Sequence, residues 1–344
     1  MKISIIQPFF TAYRDPLFRG LSRMKNELTV YCGKSGEDFG FDEQNDLGIY
    51  HFLEWKGGFF KFTSLENVKR IADSDVIVHF GDFKYLTFWF FLFYSRFSGK
   101  KFFIHGQGGY KKNGFISSLV YNFSLFLSSG YICYATFSSE SLKSKSFGFL
   151  HKKIHVAENM LYMKKRSEAP AGIDESLFYI GRIRDGCGIE LLLDAAALSG
   201  VNVLIVGAVA IDFSEKIKNK YVNAIFYGSV FDEEIQFDIA KRCLAGAYGG
   251  DAGLSVVHYM AFGLPVIVHS DLKKHMGPEP SYIVDGINGL LFERENVQSL
   301  AEKIKLLKDD RDLRNRLATG ASETFEKLQT PPMHEKFAKI LGLI

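Results

Sequence analysis

The sequence predicts an α/β protein built as two tandem Rossmann-like, doubly wound domains. Its 344 residues match the length of two average domains. Short apolar segments typical of strands alternate with helical periodicity along the chain, and one polar stretch at 161–174 interrupts this series. Short strands joined by crossover helices form parallel sheets. We therefore expect two parallel sheets in series, facing a cleft that holds the functional site.

The polar stretch sets the domain boundaries. Residues 1–165 form the predicted first domain and residues 166–330 the predicted second domain. In the first domain, strands are predicted at 3–6, 28–32, 76–80, 101–104, 131–134 and 154–156, and helices at 18–25 and 117–127. In the second domain, strands are predicted at 177–180, 203–206, 224–227 and 266–268, and helices at 189–198, 233–242 and 297–307.

The composition is that of a packed globular protein, with 47% hydrophobic and 24% charged residues. These fractions exclude a disordered, collagen-like or coiled-coil chain. The net charge of +3 gives no reason to expect nucleic acid as a partner, and the sequence has no nucleic-acid-binding motif. The four cysteines lie far apart, without a CxxC pair or histidines at zinc spacing. We therefore expect a reducing compartment and no structural metal.

Three apolar segments were compared with targeting and membrane signals. The segment 1–10 continues into Tyr-Arg-Asp without a small-residue cleavage site, which predicts a first strand and no signal peptide. The aromatic run 85–95 is shorter than the roughly 20 residues that a membrane span needs. The uncharged stretch 113–139 is interrupted by serine, asparagine and glycine. No membrane span is expected.

Basic residues concentrate in one part of the first half. Between residues 83 and 165 the sequence has twelve Lys or Arg residues and two acidic residues, Glu140 and Glu158. Phe, Tyr and Trp are interleaved with the basic residues, which fits an anionic membrane surface or a phosphorylated substrate. A solvated basic face over buried aromatic residues is an equal alternative.

Common nucleotide and hydrolase motifs are incomplete. Gly-Lys-Ser at 33–35 lacks the first glycine of a P-loop, because Leu28 stands at that position. The segment 105–109, His-Gly-Gln-Gly-Gly, has the form of an oxyanion loop, yet no G-x-S-x-G sequence supplies a nucleophile. The first strand lacks the G-x-G-x-x-G sequence of dinucleotide-binding folds. These three chemistries are therefore not expected.

Two glycine-rich turns of the second half are candidate ligand sites. Gly181 and Arg182 directly follow a predicted strand, and a loop leads from them into the predicted helix 189–198. An arginine at this place can bind a diphosphate through charge-assisted hydrogen bonds. In the second turn, 249–254, small residues let backbone N–H groups approach a ligand. An ordinary turn followed by a helix cap is the alternative for both.

Five ordered segments between residues 178 and 292 resemble the donor-binding domain of glycosyltransferase family 4, whose members have the GT-B fold. They are YIGRIRDGCGIELLLDAA, VLIVG, IFYGSV, GLSVVHYMAFGLPVIV and YIVDGINGLLFE. More loosely, YRDPLF, FIHGQGG and AEN in the first half resemble the acceptor domains of bacterial surface-polysaccharide members of the O-antigen and capsule type. The resemblance covers nearly the whole chain and implies that a last helix at 333–343 crosses back to the first domain.

The resemblance implies a retaining glycosyltransferase that moves a sugar from a nucleotide diphosphate sugar, a UDP- or GDP-sugar, to a growing surface glycan. The implied acceptor is a glycan or a polyprenyl-diphosphate-linked glycan. The implied location is the cytoplasm, peripheral on the anionic surface of the inner membrane. No cofactor and no obligatory metal are implied, so protein cations and helix N-termini must neutralise the leaving diphosphate.

The resemblance also implies a set of donor-binding residues. Gly181 and Arg182 occupy the place of the family's diphosphate-binding arginine and the glycine before it. Cys187 stands where the family usually has a lysine, so Arg184 in the same loop is the expected substitute. Glu279, ahead of the YIVDG segment, is the candidate carboxylate for contact with the ribose or the sugar.

The second glycine turn departs further from the family pattern. When the sequence is aligned on Gly253 and Leu254, Gly250 and His258 occupy the positions of the family's two glutamates. A helix that begins near Ser255 is expected to keep His258 in the donor site, where it hydrogen-bonds hydroxyls or phosphate. A core histidine satisfied by the backbone is the alternative.

In the first half, the resemblance implies that His105 is the catalytic residue, hydrogen-bonded to the donor sugar or the reacting oxygen. A structural cap for its loop is the alternative. Tyr13 and Arg14 occupy the family's N-terminal loop and are the expected acceptor contacts, together with Asn159. Two rival functions stay open: another GT-B activity such as a nucleotide-sugar epimerase, and a non-catalytic nucleotide-sugar-binding protein.

Overall fold

The chain divides into two compact units, each with its own parallel sheet. The first unit comprises Met1–Asn159 and Pro331–Ile344, and the second comprises Met160–Thr330. The structure is a computed structural model, and it describes residues 1–24, 27–34, 48–164, 166, 175–184, 186–208, 217 and 219–344.

A seven-stranded sheet forms the centre of the first unit, and its neighbouring strands are all parallel. Strands β1 to β7 are, in chain order, Lys2–Phe9, Glu27–Gly33, Tyr50–Leu53, Val76–Phe80, Lys101–Gly106, Gly130–Cys133 and Ile154–Val156. Their spatial order is β3-β2-β1-β4-β5-β6-β7, so the chain changes direction across the sheet between β1 and β4. In doubly wound sheets, ligands bind beyond the carboxyl ends of the strands at this point.

Helices α1 to α5 of the first unit are Asp15–Ser22, Leu65–Ala72, Leu86–Ser98, Phe115–Leu127 and Thr136–Lys143. The sheet is covered on both sides, because all five residues of β4 are buried. The core is rich in aromatic residues and includes Phe88, Phe91, Phe102 and Tyr131. Core packing therefore accounts for the buried side of α3 and not for its exposed phenylalanines.

A six-stranded parallel sheet forms the centre of the second unit. Strands β8 to β13 are Ser176–Ile180, Asn202–Val206, Ala224–Gly228, Ala245–Ala247, Val266–His269 and Gly289–Phe292. Their spatial order is β10-β9-β8-β11-β12-β13, which places the change of direction between β8 and β11. The candidate loop that begins at Gly181 therefore leaves the sheet beside this point.

Helices α6 to α10 of the second unit are Ile189–Leu198, Glu233–Ala240, Ser255–Ala261, Val297–Asp309 and Arg311–Gln329. Helix α8 packs closely on β11, and a glycine makes this approach possible. A Cβ atom added to Gly246 would collide with the ring of Tyr259. The start of α8, which carries several predicted site residues, is therefore held close to the end of the sheet.

The last helix, α11, Met333–Leu341, belongs to the first unit. It packs against α1, where a Cβ atom on Gly20 would overlap the side chain of His334. Lys101 at the start of β5 donates to the carbonyl oxygen of Leu341 at 3.3 Å. The return of the chain to the first unit, expected from the resemblance, is confirmed.

The two parallel sheets confirm the predicted doubly wound architecture, while several short elements differ from the prediction. Helix α1 begins at Asp15, three residues earlier than predicted, because proline in the first turn favours a helix start. Strand β11 is Ala-Gly-Ala and has no strong apolar pattern. In the part of the chain that the structure describes, no helix is both long enough and apolar enough to cross a membrane.

Candidate active site

The end of β1 leads into the first group of predicted site residues. A short 3-10 turn, Ala12–Arg14, returns the side chain of Arg14 to the interior, where it is 7% exposed. Its Nη1 donates a hydrogen bond to Oε1 of Gln7. The guanidinium also lies over the rings of Tyr13 and Tyr134, at 5.4 and 5.0 Å from their centroids. Arg14 is therefore an interior residue, whereas Tyr13 is only partly buried.

His105 is the last residue but one of β5 and is 1% exposed. Its ring contacts Tyr134 and Phe337 edge-on, with centroids at 4.6 and 4.8 Å. Neither ring nitrogen has a hydrogen-bond partner among the described residues. Burial, followed by the nearby charge of Arg14, lowers the pKa of His105 well below 6.5. His105 is therefore neutral at pH 7, with one donor and one acceptor nitrogen.

Asn159 lies at the same edge of the first sheet. It is buried, and its N–H donates to the carbonyl oxygen of Tyr134 at 2.7 Å. The preceding residue, Glu158, forms an ion pair with Lys336 of α11 at 2.7 Å. These contacts hold the end of the segment Met1–Asn159 in the first unit. Because Tyr134 also contacts Arg14 and His105, the three predicted residues surround one tyrosine.

The loop after β8 carries the two predicted donor-site arginines. Gly181 and Arg182 follow the strand directly, and the hydroxyl of Tyr179 donates to the carbonyl oxygen of Arg182 at 3.4 Å. The side chain of Arg182 is partly buried, whereas Arg184 is exposed and its guanidinium contacts the sulfur of Met276. Two cationic side chains thus lie beyond the carboxyl end of the central strand.

The second predicted glycine turn packs directly against this loop. The N–H of Asp251 donates to the carbonyl oxygen of Gly186 at 2.8 Å. A Cβ atom on Gly250 would collide with that same oxygen and lie 2.7 Å from the nitrogen of Gly188. The contact that excludes a side chain at Gly250 is therefore between two backbone segments, whereas the sequence suggested the approach of a ligand. At Gly253 an added Cβ atom would meet only an ordinary contact at 3.6 Å.

Helix α8 follows the turn, with Leu254 at its N-cap. The hydroxyl of Ser255 donates to the carbonyl oxygen of Ile180 at 2.7 Å, which ties the helix start to the end of β8. Burial lowers the pKa of His258 to about 4, so this ring is neutral at pH 7. The nearby carbonyl oxygen of Leu254 raises this pKa by less than burial lowers it. Nδ1 of His258 has no hydrogen-bond partner among the described residues.

Glu279 begins the 3-10 turn Glu279–Tyr282 and is buried. Its carboxylate packs against Gly277, where an added Cβ atom would lie 2.9 Å from the carboxylate carbon. Helix α8 packs against the same turn. Glu279 and His258 therefore belong to neighbouring elements of the second unit.

A polar cluster beside the glycine turn, with two buried histidines, could not be predicted from the sequence. Asp251 accepts hydrogen bonds from Arg294 at 3.4 Å and lies 3.3 Å from Nε2 of His269. His269 stacks on His275, with ring centroids 3.7 Å apart. Nδ1 of His275 accepts from the N–H of Ala252 at 3.1 Å and so holds the turn. No local motif marks these residues, because strands and loops distant in sequence bring them together.

The predicted residues thus form one group in each unit. Arg14, His105 and Asn159 lie around Tyr134, beyond the carboxyl ends of the strands of the first sheet. In the second unit, the loop with Arg182 contacts both the glycine turn and the start of α8. Within the described ranges, no group of three or more His, Cys, Asp or Glu side chains is arranged to hold a metal ion.

The two parallel-sheet units have the GT-B fold, which solved glycosyltransferase structures share along the whole chain. HepE from Anabaena in complex with UDP is 16% identical, covers 100% of both chains and has a TM-score of 0.72. A glycosyltransferase from Rickettsia africae is 15% identical, covers 99% of this chain and 97% of its own, and has a TM-score of 0.72. The lipopolysaccharide outer core galactosyltransferase WaaB, in its apo form, is 13% identical over 99% of both chains, with a TM-score of 0.70.

The second unit also matches a sequence family. Residues 164–324 match the family model described as glycosyl transferases group 1. A search of curated proteins gave no match. The second unit thus carries a glycosyltransferase domain, and the predicted enzyme class is confirmed at this level. Membership of family 4 and of its O-antigen branch stays a prediction.

Proposed function

We propose that the protein is a retaining glycosyltransferase that moves a sugar from a nucleotide diphosphate sugar to a growing, lipid-linked surface glycan. The observation that carries this proposal is the glycosyl transferases group 1 match over 164–324, which includes both the loop after β8 and the glycine turn packed against it. The structures of HepE with UDP and with UDP-glucose support a UDP-sugar as the first donor to test. A GDP-sugar is the second.

The loop after β8 supplies the proposed diphosphate site. Arg182 and Arg184 provide positive charge, and α6 begins immediately after Gly188. Its first N–H groups have no partners inside the helix and point outward with a partial positive charge. Charge-assisted hydrogen bonds of this kind contribute about 1.5–3 kcal/mol each. They stabilise the charge that develops on the leaving diphosphate, so that the proposed reaction uses no cofactor and no metal.

Each unit contributes further proposed contacts, with a neutral histidine in each and a buried carboxylate in the second. Because His105 is uncharged and a weak base, it orients a hydroxyl of the sugar or the acceptor by hydrogen bonding. His258 contacts a donor hydroxyl or phosphate in the same neutral form. Glu279 accepts hydrogen bonds from the ribose or the sugar. Tyr13 and Asn159 are the proposed acceptor contacts of the first unit.

An exposed aromatic surface supports docking of the first unit on a membrane. Phe93 of α3 and Phe123 of α4 join the two helices, with ring centroids at 6.0 Å. We call this surface the aromatic face. Its exposed members are Phe90, Phe93, Phe97, Phe115, Ile116, Leu119, Phe123 and Phe126.

Positive charge accompanies the aromatic face. Lys153 caps the end of α4, donating to three carbonyl oxygens at 2.6–3.1 Å. The pKa of Lys153 is lowered mainly by burial and, to a smaller extent, by the positive charges of Arg96 and Lys152. Aromatic rings beside cations suit the interface of an anionic bilayer. The proposed location is therefore the cytoplasmic surface of the inner membrane, where a lipid-linked acceptor is accessible.

The donor part of the proposal is tested by thermal unfolding of the purified protein with UDP, GDP and their sugar conjugates. A ligand at about a hundred times its dissociation constant stabilises the protein by about 2.7 kcal/mol. Arg182→Ala should abolish the shift. Lys241→Ala, which removes an exposed cation paired with Asp238 on α7, should retain it. A nucleotide shift that persists in Arg182→Ala would contradict the proposed diphosphate site.

A further inference from the structure

Arg14 is a buried cation without an ion pair among the described residues. Two more exposed arginines of the first unit have carboxylate partners: Arg19 pairs with Asp15 at 2.7 Å, and Arg70 with Glu66 at 2.7 Å. Arg14 instead contacts the amide oxygen of Gln7 and the side chains of Tyr13 and Tyr134, through their rings and by hydrogen bonding, and none of these partners is a carboxylate. Removing a charged group from water without an opposite charge costs free energy. Among the described residues, Arg14 thus has hydrogen-bonding and aromatic contacts but no opposite charge.

Further polar atoms around Arg14 also lack partners. Gln7 uses Oε1 to accept from Arg14, and its Nε2 has no hydrogen-bond partner among the described residues. The same holds for Nε of Arg14 and for both ring nitrogens of His105. All three side chains are more than nine-tenths buried. Buried polar groups are normally hydrogen-bonded, so a cluster of open ones marks a candidate binding site.

The position of the cluster is that of a ligand site. Gln7 lies near the carboxyl end of β1 and His105 near that of β5, on either side of β4. Ligands of doubly wound sheets bind beyond these strand ends. Tyr13, whose ring covers the guanidinium, is partly exposed. A side-chain rotation of this residue, of the kind common on ligand binding, gives access to Arg14.

We propose that Arg14, Gln7 and His105 form a binding site for an anionic oxygen group, a phosphate or a carboxylate, carried by the acceptor. The guanidinium binds two oxygens side by side, and Gln7 and His105 donate to the remaining lone pairs. Three of the four open nitrogens are donors, which matches an anion, and the fourth is the acceptor nitrogen of neutral His105, which stays available to the proposed hydroxyl. The assignment of the anion to the acceptor rests on the proposed transferase function, whereas the anion site does not.

The test uses calorimetric titration of the full chain with UDP, and then with pyrophosphate, glucuronate and glucose in the presence of saturating UDP, so that the proposed diphosphate site of the second unit is already occupied. We expect binding of pyrophosphate, which mimics a lipid diphosphate, or of glucuronate, which mimics an acidic sugar, and none of glucose. Arg14→Met should weaken this binding at least tenfold and leave UDP binding unchanged. Arg182→Ala should show the opposite pattern. Arg19→Met, the matched arginine paired with Asp15, should change neither.

Stability measurements separate a ligand role from a structural one. Arg14→Met removes an uncompensated charge, so its melting temperature without ligand should equal or exceed that of the wild type. Gln7→Met leaves the arginine in place and should weaken binding of the anion several-fold. This variant tests the proposed site if Arg14→Met does not fold. Binding of neither anion, or equal binding by wild type and both variants, would overturn the site. Loss of UDP binding in Arg14→Met would overturn the assignment to the acceptor.

Discussion

Gly250 provides the sharpest test of how the two loops of the second unit depend on each other. The substitution Gly250→Ala places a methyl group against backbone atoms of residues 186–188, at 2.7 Å from the nitrogen of Gly188. Backbone atoms cannot move aside as a flexible side chain does, so the loop must shift. Overpacking of this kind costs about 1–3 kcal/mol. Gly253→Ala, three residues later, adds the same methyl group at an ordinary contact distance of 3.6 Å.

Differential scanning fluorimetry with and without UDP compares the two variants. For a domain of this size, a loss of 1 kcal/mol lowers Tm by roughly 2–4 °C, so Gly250→Ala should unfold about 2–12 °C below the wild type. It should also bind UDP more weakly, because the shifted loop carries Arg182. Gly253→Ala should unfold near the wild-type temperature. If both variants had the same Tm and the same UDP response, the packing explanation for Gly250 would be refuted.

Two further predictions follow from the buried histidines and the aromatic face. Because burial lowers the pKa of His79 and His258 to about 4, the unfolded chain binds more protons between pH 4 and 6.5. The contribution of these histidines to the free energy of unfolding is therefore fully present above pH 6.5. It decreases as the pH falls from 6.5 to 4, by about 1.4 kcal/mol per pH unit for each histidine. Urea unfolding at pH 7 and pH 5 measures this, and an identical pH dependence in His258→Gln would count against it. Phe97→Ser, at a residue 87% exposed, should lower the affinity for phosphatidylglycerol vesicles about tenfold, as measured by co-sedimentation. Phe231→Ser, at a residue 70% exposed in the second unit, is the control, and an equal loss there would argue against the aromatic face.

Strands buried on both faces were the most predictable part of the fold. Strand β4 has the sequence Val-Ile-Val-His-Phe, and its burial follows from that apolar run alone. Helix α3 was recognised only as an apolar run, because aromatic residues occupy its buried and exposed sides alike and erase the helical period. Strand β11 was missed because Gly246 is there to accommodate Tyr259, a contact that exists only in the folded unit.

The positions of the candidate residues on the fold were predictable, and their surroundings less so. Motif spacing located Arg182 and the glycine turn, since both depend on local sequence. The burial of His105 involves Phe337, which lies in the last helix and contacts the histidine ring at a centroid distance of 4.8 Å. The stacked pair of His269 and His275 likewise depends on tertiary packing at 3.7 Å. Neither arrangement has a signature within one stretch of sequence.

Release of nucleotide from a nucleotide sugar tests the central proposal most directly. The purified protein is incubated with UDP-glucose, UDP-galactose, UDP-N-acetylglucosamine and GDP-mannose, and the nucleotide product is quantified by chromatography. We predict release of UDP or GDP from one donor, reduced at least tenfold by Arg182→Ala and unaffected by Lys241→Ala. Tight binding of a nucleotide sugar without any release would contradict the transferase and identify a nucleotide-sugar-binding protein instead.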